Sequence, residues 1–132
     1  MQVEYSNFYQ FPGNYKWNEF YTSGVYILLT DRRQETQGQQ VRTVFTPFYV
    51  GQSGQIGPEI LRQLNPASSN ACLRWYSQNK QGNLYIVYAS IKEENVRRAV
   101  EAFLIRNYIQ RGFKLCNTQT PIPPSGFTVN VF

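Results

Sequence analysis

The chain alternates between short apolar runs and polar turns, and those runs predict its elements. Residues 23–30 (SGVYILLT) form a β-branched and aromatic run with no charge, which predicts a strand. A polar stretch from Asp31 to Arg42, with Gly38 inside it, reads as a long hairpin connection. Residues 43–50 (TVFTPFYV) predict a second strand, in which Pro47 calls for an edge position or a bulge. Gly51 to Gly54 turns the chain, and Gly57-Pro58 opens a short helix that Asn65-Pro66 stops. Ser69 or Asn70 caps a second helix from Ala71 to about Lys80, and residues 84–89 (LYIVYA) make a third strand. Ser90 and Glu93 have capping-box spacing, and Val96, Val100, Phe103, Leu104 and Tyr108 form an i, i+3, i+4 stripe ended by Gly112. The tail, rich in Pro and Thr, closes with a plausible last strand over residues 127–132.

The order is thus β-β-α-α-β-α-(β), an α+β fold with a small, mainly antiparallel central sheet flanked by helices. Residues 1–22 have no clean period. Tyr5, Phe8, Tyr9, Phe11, Tyr15, Trp17, Phe20 and Tyr21 read as an aromatic-rich extension, irregular or partly helical, packed on the domain of residues 23–132. Packing is the favoured use of these rings, and stacking of unpaired bases is the other.

Composition narrows the chemistry. The 132 residues suit one core, and ten Tyr, nine Phe and two Trp can build it while lining a polar site. A net charge of +5 favours a polyanionic partner only mildly. No histidine is present, which excludes Ser–His–Asp and Cys–His catalysis and the familiar Cys/His zinc patterns. General-base work falls to Tyr, Glu, Asp, Lys or a metal-bound water. Cys72 and Cys116 stand far apart and read as two buried thiols in a reducing cytoplasm. The longest apolar run, Val25 to Leu29, is too short to span a bilayer, so no membrane partner is expected.

Two tripeptides carry the functional reading: Gly24-Val25-Tyr26 on the first strand and Tyr49-Val50-Gly51 at the end of the second. Either alone occurs often by chance. In order after them come Arg62 on the first helix, Glu101 on the long helix and Asn117 just past its end. With that series the chain resembles the GIY-YIG nuclease family, over the span Gly24 to Asn117. The resemblance implies that Tyr26 activates or positions the attacking water and that Tyr49 hydrogen-bonds within the site. It implies that Arg62 contacts the scissile phosphate and that Glu101 holds a single divalent metal, Mg²⁺ or Mn²⁺. Asn117 would brace the site, and Gly51 would serve a sharp turn where a side chain would crowd the cleft.

Physical chemistry is consistent with those roles. One carboxylate anchors Mg²⁺ when waters and phosphate complete its shell. Arginine presents a charged planar fork to phosphate oxygens. A tyrosine near that cation and metal is expected to have a lowered pKa. At about 100° per residue, Glu101 lies about 60° from the centre of the apolar stripe, a border position that can turn inward.

Three features depart from the family pattern. Pro66 stands where many members have a His or Tyr, the spacing from Tyr26 to Tyr49 is long, and Gln52 replaces a lysine seen in some members. Tyr76 is a candidate replacement hydroxyl, and Arg74 a rival to Arg62. With no separate recognition domain, DNA contact falls to Arg32, Arg33 and Arg42 at the hairpin tip, to the N-terminal segment, or to a partner subunit. A homodimer is one way for a single-site chain to cut both strands. The expected function is metal-dependent DNA cleavage, against a non-catalytic nucleic-acid-binding module and a small protein-interaction domain.

Overall fold

The computed structural model describes residues 1–13 and 20–132, so Tyr15 and Trp17 of the aromatic extension lie outside the described residues. The elements are β1 (Tyr9–Phe11), β2 (Gly24–Gln37), β3 (Gln40–Ser53), α1 (Ile56–Gln63), α2 (Ala71–Asn79), β4 (Leu84–Ser90) and α3 (Glu94–Gln110). The strands form one antiparallel sheet in the order β1-β4-β2-β3. The α+β reading and the antiparallel sheet therefore hold.

The polar run 31–42 is not a loose connection. It extends β2 and β3 into a long hairpin with a two-residue loop, where Gly38 takes φ +61°. Polar side chains suit these arms because both faces meet solvent; Gln34 and Arg33 donate across the pair to Thr43 and Thr46. Pro47 satisfies both of its readings. β3 is an edge strand, and the register shift from Leu28↔Tyr49 to Leu29↔Pro47 leaves Phe48 as the extra residue of a bulge.

Three boundaries differ from expectation. Residues 9–11 are a strand on the outer edge of β4, so this part of the extension is stitched into the sheet. Ser90 ends β4 instead of capping α3: Ile91 N donates to Ser23 O at 3.0 Å, which keeps the backbone extended, and Glu93 becomes the cap without a side-chain bond. Residues 127–132 form no strand. The Asn130 side chain substitutes for a ladder, accepting from Val3 N at 2.6 Å and donating to Val3 O at 2.9 Å. Asn70, of the two candidate caps, holds α2 by accepting from Leu73 N at 3.1 Å.

Apolar side chains sort by strand alternation into two clusters. Val25, Ile27, Leu29, Val50 and Val87 pack under α3 with Val100, Leu104 and Tyr108. Tyr26, Leu28, Phe48 and Ile86 pack under α1 and α2 with Ile56, Ile60 and Leu73. The result is three layers with the sheet in the middle.

Cys72 and Cys116, expected as two separate thiols, instead form a disulfide with Cα atoms 5.4 Å apart. The pairing follows from how the chain leaves α3. Cys116 N donates to Phe48 O at 2.6 Å, which lays the segment after α3 along the outer edge of β3. Asn70 Nδ2 donates to Cys116 O at 3.1 Å and brings the start of α2 beside it. The argument from free thiols to a reducing compartment loses its premise. Among the described residues, no helix is long and apolar enough to cross a membrane.

Candidate active site

The site forms where the β2–β3 pair, α1, α3 and the segment after α3 meet. Tyr26 and Gly51 are cross-strand partners, and the Tyr26 ring crosses over the glycine. A Cβ at position 51 would lie 2.3 Å from the phenol oxygen. Gly51 is therefore no turn residue, as β3 runs on to Ser53; its missing side chain is the space that Tyr26 occupies. Gly24 is required likewise, since a Cβ there would meet Ala89 O at 2.1 Å.

Tyr26 is fully buried and Tyr49 partly so, with ring centroids 6.1 Å apart. The Tyr49 hydroxyl accepts from Gln63 Nε2 of α1 at 3.3 Å. Asn117 secures this end of β3 by pairing with the backbone of Val50: its Nδ2 donates to Val50 O at 2.7 Å and its Oδ1 accepts from Val50 N at 3.1 Å. A carboxamide matches a peptide edge in this way, so one side chain does the work of a ladder rung.

Glu59, in the first turn of α1, is a site residue that the sequence reading missed. Its Oε1 accepts from Arg62 Nη2 at 3.2 Å, while Oε2 is buried without a hydrogen-bond partner, as is the Tyr26 hydroxyl. These two groups face each other without closing a well-formed bond. The available signal was the i, i+3 spacing of Glu59 and Arg62, which puts both on one helix face. Arg62 itself remains two-thirds exposed at the mouth of the site.

Glu101 turns inward from the border of the α3 stripe and lines a cleft of about 170 Å³ with Tyr49, Asn70, Asn117 and Thr118. A shallower depression of about 550 Å³ adjoins it, sharing Tyr49, Asn70 and Thr118 and reaching Arg62 and the disulfide. Together they make one open groove with a carboxylate at one end and a guanidinium at the other.

Electrostatics in the groove favour neutral forms. Burial pushes the Glu101 carboxyl up to about 7, Glu59 adds to this, and Arg98 and the Gln52 backbone oppose it. Burial also raises Glu59, against the pull of the Tyr26 hydroxyl and Arg62. Tyr26 is raised well above the ordinary phenol value, by burial first and then by Glu59 and Tyr49. Tyr49 is raised by burial, Glu59 and Glu101, and the Tyr26 hydroxyl and Arg62 only partly offset them. The expected lowering of a tyrosine pKa is thus reversed in the protein alone, because burial and two carboxylates outweigh one exposed arginine.

The other candidates sit elsewhere. Tyr76 stacks on Phe48 at 4.1 Å, and the charges near its hydroxyl are Asp31 and Lys80, not the site carboxylates. Arg74 donates to Ser68 O at 2.6 Å and fastens the α1–α2 connection. Arg32 lies over the Phe8 ring at 4.9 Å, and Arg33 pairs with Glu35 at 3.1 Å. Arg42 borders a separate cavity described below. Gln52, at the position of the missing lysine, accepts from the buried Arg97 Nε at 3.0 Å and ties β3 to α3 one turn before Glu101.

Among the described residues no group of three or more His, Cys, Asp or Glu could hold a metal. Glu101 offers a carboxylate to the cleft, where a cation would offset the cost of ionising it; Glu59, whose Oε2 is buried and partnerless, lies behind the groove and adds to that cost. No protein family, curated protein or solved structure matches the chain.

Proposed function

We propose that the protein is a metal-dependent endonuclease of the GIY-YIG type that hydrolyses DNA phosphodiester bonds. The observation that carries this reading is convergence. Tyr26, Tyr49, Glu59, Arg62 and Glu101 come from four elements, and the Tyr49 hydroxyl in the groove feels all four of the others. Four of these five belong to the series on which the sequence resemblance rests.

Each group has work suited to its position. Arg62, exposed at the groove mouth and pivoted on Glu59, is free to swing its fork onto a phosphate. Glu101 would hold Mg²⁺ or Mn²⁺, which would supply neutralisation of phosphate charge and a more acidic attacking water. Tyr49, fixed by Gln63, offers its hydroxyl to orient that water. Tyr26 is too deeply buried to touch a phosphate directly; it packs its ring against Tyr49 and sets the polarity around Glu59. Asn117 keeps the Tyr49 backbone in register.

A second reading, a nucleic-acid-binding module without cleavage, is favoured by one observation. Pro66 removes the hydroxyl or imidazole expected near Arg62, and Tyr76 does not reach the groove to replace it. Incubation with supercoiled plasmid in Mg²⁺ or Mn²⁺, beside EDTA and Glu101→Ala controls, separates the two. Metal-dependent nicking that Glu101→Ala abolishes is expected. Retarded but uncut plasmid under every condition would overturn the nuclease and leave the binding module.

A further inference from the structure

A cavity of about 280 Å³ lies further along the seam between β3 and α3, with Arg42 and Arg111 among the aromatic side chains Phe45, Tyr108, Phe113 and Phe132. Both arginines are exposed, whereas Tyr108 is buried and Phe45 and Phe113 are half-buried. Arg111 is held in place: its guanidinium sits 5.7 Å from the Tyr108 ring centroid and 5.3 Å from that of Phe113. It is also the C-cap of α3, where the helix carbonyls favour a cation. Arg42 enters from β3, and its cross-strand acidic neighbour, Glu35, pairs with Arg33 instead.

This chemistry selects a ligand with an aromatic face and an anionic group. Aromatic walls take the face of any nucleobase, and arginine serves both as a stacking plane and as a fork for phosphate. The volume is at the small end for ligand sites, enough for one nucleotide but not for a long ligand. Tyr108 is seven residues beyond Glu101 on α3, about 10 Å at the helical rise. Phe45 is four residues before Tyr49 on β3, about 13 Å along a strand. The cavity is therefore within a few nucleotide steps of the groove at about 3.4 Å per step. Bases paired in duplex cannot enter such a cavity; an unpaired one can.

We propose that this cavity receives an unpaired nucleotide of a DNA strand, so that the protein prefers duplexes with a single-stranded overhang or flap to blunt duplex. Its relation to cleavage rests on the nuclease reading, but the binding preference does not. The test is therefore made in EDTA, by fluorescence anisotropy, on a blunt duplex and on the same duplex with a short 3′ or 5′ overhang carrying 2-aminopurine. At least one overhang should bind about tenfold tighter than the blunt duplex, with quenched 2-aminopurine fluorescence, as base stacking on aromatics predicts. Arg42→Ala and Arg111→Ala, both at exposed positions that leave the fold intact, should reduce the ratio of overhang to blunt affinity several-fold. Arg32→Ala should lower both affinities without changing their ratio. Equal affinity for blunt and overhanging duplexes, or a ratio unmoved by Arg42→Ala and Arg111→Ala, would overturn the proposal. A preserved preference in a protein that nicks no plasmid would sink the nuclease and support the cavity; nicking without the preference would do the reverse.

Discussion

At the scale of single residues, two positions make sharp predictions. Gly51 sits under the Tyr26 phenol, so Gly51→Ala forces a methyl into atoms 2.3 Å away inside a fully buried contact. The expected cost is about 1–3 kcal/mol, as for overpacked cores. Tyr26→Leu in the same chain should recover part of that stability while leaving activity lost, which urea unfolding and a nicking assay would separate. Glu101 makes a prediction in pH. Its carboxyl rises from the ordinary 4.5 to about 7, so between these values the folded chain keeps a proton that the unfolded chain has released. The stability gained is complete below about pH 4.5 and disappears as pH rises through 7. Discounted for the solvent-facing part of the side chain, it amounts to about 1–2 kcal/mol. In EDTA, Glu101→Gln should therefore unfold at higher urea than wild type at pH 8 and differ little at pH 4.5. Equal slopes of stability against pH in the two proteins would rule this out.

At the scale of elements, much of the fold was legible because periodicity reports burial. The three strands and three helices of residues 23–112 follow apolar runs or stripes, and Asn70 and Gly112 mark ends by chemistry that acts within a few residues. What misled were features set by distant partners. The polar arms of the hairpin carry no apolar signal because neither face is covered, and Ser90 stayed in β4 because it pairs with Gly24 and the next amide, Ile91 N, bonds Ser23 O. The site shows the same division. Tyr26, Tyr49, Arg62 and Glu101 were readable from their order along the chain, whereas Glu59 matters only because α1 turns it toward Tyr26. Asn117 acts on an element rather than on a neighbour. Asn117→Ala removes two hydrogen bonds that hold the edge strand at Val50, which should cost about 1–3 kcal/mol. Amide exchange should rise at Val50 and its neighbours on β3 and stay unchanged in β4, and an unchanged Val50 amide would refute the clamp.

At the scale of the whole molecule, the groove depends on one covalent link between layers. α2 packs on one face of the sheet and α3 on the other, and the chain leaving α3 passes the β3 edge before Asn117 reaches its position. The Cys72–Cys116 disulfide fixes that passage to α2, at a sequence separation of 44 residues. Cysteine count alone could not reveal it, since two residues so far apart in sequence pair only if the fold returns one to the other. Closing a loop of this length restricts the unfolded chain by about 4 kcal/mol in the loop-entropy treatment. For a domain of this size that corresponds to a fall in Tm on the order of 10 °C on reduction. Cys72→Ser with Cys116→Ser should reproduce the fall. Because both cysteines line the depression that Tyr49 and Arg62 share, the folded double variant should, on the proposed nuclease reading, also lose nicking activity beyond what its stability explains. Assayed well below its Tm, it should show a larger fall in kcat than a Gly51-intact control of equal stability altered in the distant β1 edge. Equal kcat in the two would mean that the link only stabilises the fold, and that Asn117 and Asn70 hold the groove without it.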